Sequence, residues 1–224
     1  VDTIYFSLFG LNLQEPMAFI LNWVIASFCI YAFFRLKRFK NKANDYWRLF
    51  FLVFGLSTFF GGLGHLFFLY TGIPGKYPSW IFGSIANGFA ALGVLNFKGI
   101  SRPTQLAYYL VWIKCLFLVV ISIATQKFIF IAIDAIVTYL CYTGIYLLFL
   151  RRRTPFKYFI GKFLIGVAIL LPSAFFFILK INLHQWLNKD DVSHLLMLGA
   201  IFFFYQGLKE WGKNHQTLLQ HVEE

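Results

Sequence analysis

Residues Asp190–Gly207 read DDVSHLLMLGAIFFFYQG. Two carboxylates and an imidazole open the stretch, an apolar run follows, and Lys209 and Glu210 lie just beyond it. A run this long and apolar predicts a membrane-spanning helix. Asp190 precedes His194 by one helical turn, so a helix sets both on one face with Cβ atoms about 5–6 Å apart. Asp191 reaches the same face. A carboxylate and an imidazole at that spacing can share a cation if other helices complete the shell. The same residues also suit a plain helix start, because acidic side chains favour the positive end of the helix dipole.

The whole chain has the composition of that stretch. Of its 224 residues 59% are hydrophobic and 21% aromatic, and only 13% are charged; soluble domains carry about 25% charged residues. This argues against a soluble globular enzyme and for an integral multi-pass membrane protein, in the cell inner membrane if the source is bacterial. The formal charge of +11 would suggest nucleic acid as a partner for a soluble chain. Here the basic residues lie in short loops between apolar runs, where they set topology, and no nucleic acid is expected. Cys29, Cys115 and Cys141 fall inside apolar runs without metal-type spacing, and their odd number argues against a disulfide framework.

Seven spans follow from hydropathy: Pro16–Phe34, Tyr46–Tyr70, Pro78–Phe97, Thr104–Ala124, Phe128–Leu150, Phe156–Leu179 and Asp191–Leu208. The expected fold is an all-α seven-transmembrane bundle over residues 1–214, with a polar tail over 215–224 that should fray. Arg35, Lys37, Arg38, Lys40, Lys42, Arg48, Lys98, Arg102, Arg151, Arg152, Arg153, Lys157, Lys209 and Lys213 fall on one side. Lys76, Lys127, Lys180 and Lys189 fall on the other. The positive-inside rule then places the N-terminus outside and the C-terminus in the cytoplasm.

With directions set, polar residues can be placed by depth. Glu15 and Pro16 open span one at the outer face, and Asn22 lies about two turns further in. His65 lies about 7 Å inside the outer end of span two at 1.5 Å per residue. Asp190, Asp191 and His194 open span seven at the same face, and Asn87 sits near the middle of span three. Ionisable groups within a membrane are costly and mark functional candidates. Glu15, Asn22, His65, Asp190 and His194 therefore converge from three spans on the outer part of the bundle. Gly61, Gly62 and Gly64 would let a neighbouring helix approach His65 closely. Lys114 and Asp134 reach similar depths on adjacent antiparallel spans and read as an ion pair, with a proton relay or a polar cavity wall as the alternative. Pro172 predicts a kink in span six. Tyr139, Tyr142 and Tyr146 read as lipid-facing or core surface.

Taken in order, these features resemble the superfamily of alkaline ceramidases and progestin/adipoQ receptors known as CREST. That family opens span one with a Glu-Pro-x-Asn-x-x-Ser-Asn-like stretch; here EPMAFILN keeps Glu15, Pro16 and Asn22. Its span two carries Ser-x3-His, matched here by Gly61-x3-His65 with Ser57 one turn earlier. Its span seven carries His-x3-His, matched by Asp190-x3-His194. The resemblance implies a zinc ion on three histidines that activates water to cleave the amide of a ceramide-like membrane lipid. Zinc lowers the pKa of bound water to about 7, and three protein ligands leave a fourth position open. Carried onto this chain, the ligands would be His65, Asp190 and His194. The family's acid at the start of span three is absent from FLYTGIPGKYPSWIFGS, residues 68–84, which leaves Asp191 as the catalytic base. Glu15, Asn22, Ser57, Asn87 and Asp134 remain as further polar residues of the cavity. The alternative is a lipid-binding or sensor protein on the same scaffold without turnover. A retinal protein is disfavoured because Asp191–Leu208 holds no lysine, and a transporter because no paired broken helices are visible.

Overall fold

The computed structural model describes residues 3–38, 41–97, 105–152, 157–179, 181–184 and 186–223. Lys40, Lys98, Arg102, Arg153 and Lys180, part of the loop-charge argument, lie outside the described residues. A short antiparallel hairpin, β1 (Tyr5–Leu8) and β2 (Leu11–Gln14), comes first. Long helices follow: α1 (Pro16–Arg35), α2 (Lys42–Leu66), α4 (Tyr77–Leu95), α5 (Gln105–Thr125), α8 (Lys157–Ile178) and α9 (Lys189–Glu223). Between α2 and α4 the chain turns through the short helix α3 (Phe68–Thr71) and a 3-10 turn, Ile73–Lys76. Between α5 and α8 runs one continuous helical segment of α6 (Ile129–Ile136), a π-helical stretch Val137–Ile145 and α7 (Tyr146–Arg151).

Among the described residues six helical segments are long and apolar enough to cross a membrane: Pro16–Arg35, Lys42–Leu66, Ile73–Leu95, Gln105–Thr125, Ile129–Arg151 and Lys189–Lys213. In α8 the apolar stretch Tyr158–Ser173 falls short of that length among the described residues. The chain is thus an all-α, multi-pass membrane bundle with one small hairpin that hydropathy does not reveal. Helix α5 shows the lipid-facing pattern plainly. Only Val111, Cys115 and Ser122 are buried on it, while Leu110, Ile113, Leu116, Phe117 and Val120 are exposed. An apolar surface of that extent has no place in water.

Boundaries have local causes. Pro16 starts α1, where its missing N–H costs nothing. Asn41 caps α2, its side-chain oxygen accepting from the Ala43 N–H at 2.9 Å. Helix α9 does not stop at the polar tail expected to fray but continues through it to Glu223.

Helix α2 packs between α1 and α4, and α8 lies along α9. An aromatic core fills the half of the bundle near the start of α2. Trp47 is fully buried, with ring centroids 4.9 Å from Phe163, 5.2 Å from Phe50 and 5.7 Å from Phe204. Glycines make room for these rings: a Cβ on Gly93 would stand 2.6 Å from Trp47 Nε1, and one on Gly166 2.6 Å from Phe204 Cε1. His65 ends the same helix about 27 Å from Trp47 at 1.5 Å per residue. His65 therefore lies at the far end from the aromatic core.

Candidate functional site

Three elements meet at His65. A Cβ on Gly61 would stand 3.2 Å from Asn22 Oδ1, and one on Gly62 2.8 Å from Trp23 Cδ1. One on Gly64 would stand 2.9 Å from the Gly75 carbonyl. The glycine run thus lets α1 and the Ile73–Lys76 turn close on the last turn of α2, as the sequence suggests. Glu15, in a left-handed conformation at φ 52, turns the hairpin into α1. Its carboxylate meets His65, Oε2 to Nδ1 at 2.5 Å, and Lys76 Nζ lies 3.5 Å from the same nitrogen. Burial pushes the Glu15 pKa up, but the hydrogen bond and charge of His65, with the charge of Lys76, hold it below its ordinary value.

Helix α9 brings His194 to the same place. The His65 and His194 rings stand edge to face, with centroids 6.1 Å apart and an 87° interplanar angle. Asn22 Nδ2 donates to the Ala18 carbonyl at 2.8 Å and lies 3.0 Å from His194 Nε2. One amide hydrogen goes to each, so Nε2 accepts and Nδ1 carries the ring proton. Nδ1 is buried with no closely aligned hydrogen-bond acceptor, and the Asp190 backbone one turn back interacts with the ring.

Asp190 and Asp191 diverge at the start of α9. Lys189 Nζ donates to both Asp190 oxygens, at 2.8 and 2.9 Å. Asn188 Oδ1 accepts from the Asp190 and Asp191 N–H groups at 2.8 and 3.1 Å, while Asp191 Oδ2 accepts from Asn188 N–H at 3.0 Å. That reciprocal pair is a capping box. Asp191 Oδ1 is left buried and unpaired. A cavity of about 170 Å³ opens beside these groups, lined among others by Glu15, Met17, Trp186, Lys189, Asp190 and Asp191. The two imidazoles are not part of its wall.

A family model covers residues 17–213, nearly the whole bundle, under the description "Family of unknown function (DUF6962)". The chain belongs to the DUF6962 family. No curated protein and no solved structure matches it. His65, Asp190 and His194 fall inside the matched part of this DUF6962 chain, and Glu15 lies just before it.

Zinc on His65, Asp190 and His194 is the sequence expectation, and these donors are of the right chemical kind. His65 has the arrangement common in zinc sites, one nitrogen on a carboxylate and the other without a hydrogen bond among the described residues. The other two donors are engaged: Asp190 by Lys189, His194 Nε2 by Asn22. Among the described residues no three metal-ligating side chains stand close enough to share an ion. As arranged, the residues do not form a zinc shell. Both Lys189 and Asn22 would have to let go first.

The other polar residues of the DUF6962 chain separate from this site. Ser57 Oγ donates to the Ser79 carbonyl at 2.8 Å and ties α2 to α4. Asn87 and Asp134 form their own cluster. Asp134, with no exposed surface, pairs with Lys114 and accepts from Ser84 Oγ and Asn87 Nδ2, both at 2.8 Å. Lys114 also donates to Thr138 Oγ1 at 2.7 Å. The expected ion pair is present, and neither Ser57, Asn87 nor Asp134 lines the cavity. Sequence reasoning missed Lys76, Lys189, Ser84 and Asn188. The last was legible, since Asn188-x-x-Asp191 has capping-box spacing. The lysines were read as topology charges alone.

Proposed function

We propose that this protein is a seven-span membrane hydrolase of a lipid amide, ceramide-like in class, with its N-terminus outside and its site at the outer end of the bundle. The span this reading adds to the six is α8, the sixth in chain order. The observation that carries the proposal is the meeting of Glu15, His65 and His194 from the starts of α1 and α9 and the end of α2. A carboxylate on Nδ1 of an imidazole fixes the tautomer and leaves Nε2 as a base. In this reading His65 Nε2 takes a proton from water as its oxygen attacks the amide carbon. The buried His194 Nδ1–H stabilises the developing oxyanion once it turns from the Asp190 backbone. The C–N bond then breaks, and the proton passes from His65 to the leaving amine, giving a fatty acid and a long-chain amine. Were zinc to bind at His65, Asp190 and His194, it would supply Lewis-acid activation of that water; no step above depends on it.

A second reading, lipid binding without turnover, is favoured by two observations. Lys189 holds Asp190, and the imidazoles stand off the cavity wall. Purified protein given ceramide separates the two: fatty-acid release supports the hydrolase, while saturable binding without release supports the binding protein.

A further inference from the structure

The hairpin is two-faced, and one face runs outward from the bundle to exposed apolar side chains. In the antiparallel register Phe6 pairs with Leu13 and Leu8 with Leu11, while Tyr5 pairs with Gln14 and Ser7 with Asn12. Cross-strand partners share a face and alternate along the strand. The apolar face starts on the bundle, where Leu13 is 3% exposed, and continues outward to the exposed Leu8 and Leu11. Beyond them the turn holds Phe9 at φ 52 and Gly10 at φ 78, and Phe9 is 95% exposed. A turn with two left-handed residues favours Asn or Asp before Gly. A bulky aromatic at positive φ is the choice that backbone sterics least favour. At that exposure the described residues offer the ring little packing to offset it.

Continuity says what surrounds the ring. Only Glu15 separates β2 from α1, whose Ile20, Trp23 and Val24 form the exposed apolar surface of a membrane-spanning helix. The Asn12 N–H donates to the Tyr70 hydroxyl at 3.0 Å, holding the hairpin against α3 just past the end of α2. The hairpin therefore sits at the level where two spans leave the membrane, the interface at which aromatic side chains concentrate. We propose that its tip, Leu8, Phe9 and Leu11, inserts into the interfacial layer of the phospholipid leaflet at the His65 end of the bundle, with Ser7 and Asn12 turned to water. This holds whether or not the site hydrolyses a lipid.

The test uses the full chain in phosphatidylcholine vesicles. Cys141, the exposed cysteine, is replaced by serine, and a fluorescent thiol probe is placed at Ser7→Cys, Leu8→Cys or Phe9→Cys. Lipid spin-labelled near the glycerol level should quench the probes at positions 8 and 9 about twofold or more beyond the probe at 7, with aqueous iodide showing the reverse order. Iodide reaching all three alike would put the tip in water and overturn the proposal. Probes shielded from both quenchers would mean a protein contact instead. Equal lipid quenching at all three would remove the sidedness on which the proposal rests.

Discussion

At the scale of single residues, the site is set by two side-chain pairs between helices. Glu15 holds His65, and Asn22 holds His194. The depressed pKa of Glu15 makes a pH prediction with a definite sign. A carboxylate whose folded pKa lies below its ordinary value of 4.5 stabilises the fold fully above that value and loses the contribution as pH falls through the lower, folded one. Melting temperatures of the wild type should therefore drop more steeply than those of Glu15→Gln as pH falls below 4.5. Parallel pH curves would show that Glu15 has no such linkage. The sequence could bring Glu15, Asn22, His65 and His194 to one depth, because depth follows from residue count and span direction. It could not pair them. Pairing depends on which face each helix turns inward, and the apolar runs of α1 and α2 are hydrophobic nearly all round, so periodicity gives little guidance.

At the scale of elements, two devices hold the helices in place. One is glycine contact. A Cβ on Gly62 would stand 2.8 Å from Trp23 Cδ1 and 3.2 Å from the Phe19 carbonyl. Gly62→Ala should then cost about 1–3 kcal/mol of stability through overpacking, read as a lower melting temperature, and Gly62→Leu should cost more. The other device is the Lys114–Asp134 cluster, which ties α4, α5 and α6 together. Lys114 also lies 3.5 Å from the Asp134 carbonyl and bonds Thr138 within the π-helical stretch. Lys114→Met alone leaves a buried carboxylate without its cation and should destabilise by about 3–5 kcal/mol, and the double variant with Asp134→Asn should recover much of that. Activity lost at unchanged stability in Asp134→Asn would mean a functional acid instead. The pair itself was legible, because both charges fall at matching depth in adjacent spans. The π stretch was not: VTYLCYTGI at 137–145 has the composition of any apolar helix. The hairpin was hidden for a similar reason, since Phe9-Gly10 lacks the Asn-Gly or Asp-Gly that signals a two-residue turn.

At the scale of the whole molecule, composition and loop charge carry the account. The apolar spans were readable because nothing but a bilayer accommodates so many uninterrupted hydrophobic residues. The direction in which they cross is the part that hydropathy leaves to the basic loops. With Cys141 replaced by serine, an impermeant thiol reagent on intact cells should label Lys127→Cys and spare Arg152→Cys; the opposite pattern would turn the His65 end towards the cytoplasm. The central claim is hydrolysis at the Glu15–His65–His194 site, and the initial rate of fatty-acid release from ceramide by purified wild type and His65→Ala tests it most directly. The account predicts measurable release by the wild type and a fall of about 100-fold or more in a His65→Ala protein that keeps its helical content. Release that persists in His65→Ala, or a wild type that binds ceramide and releases nothing, would contradict it.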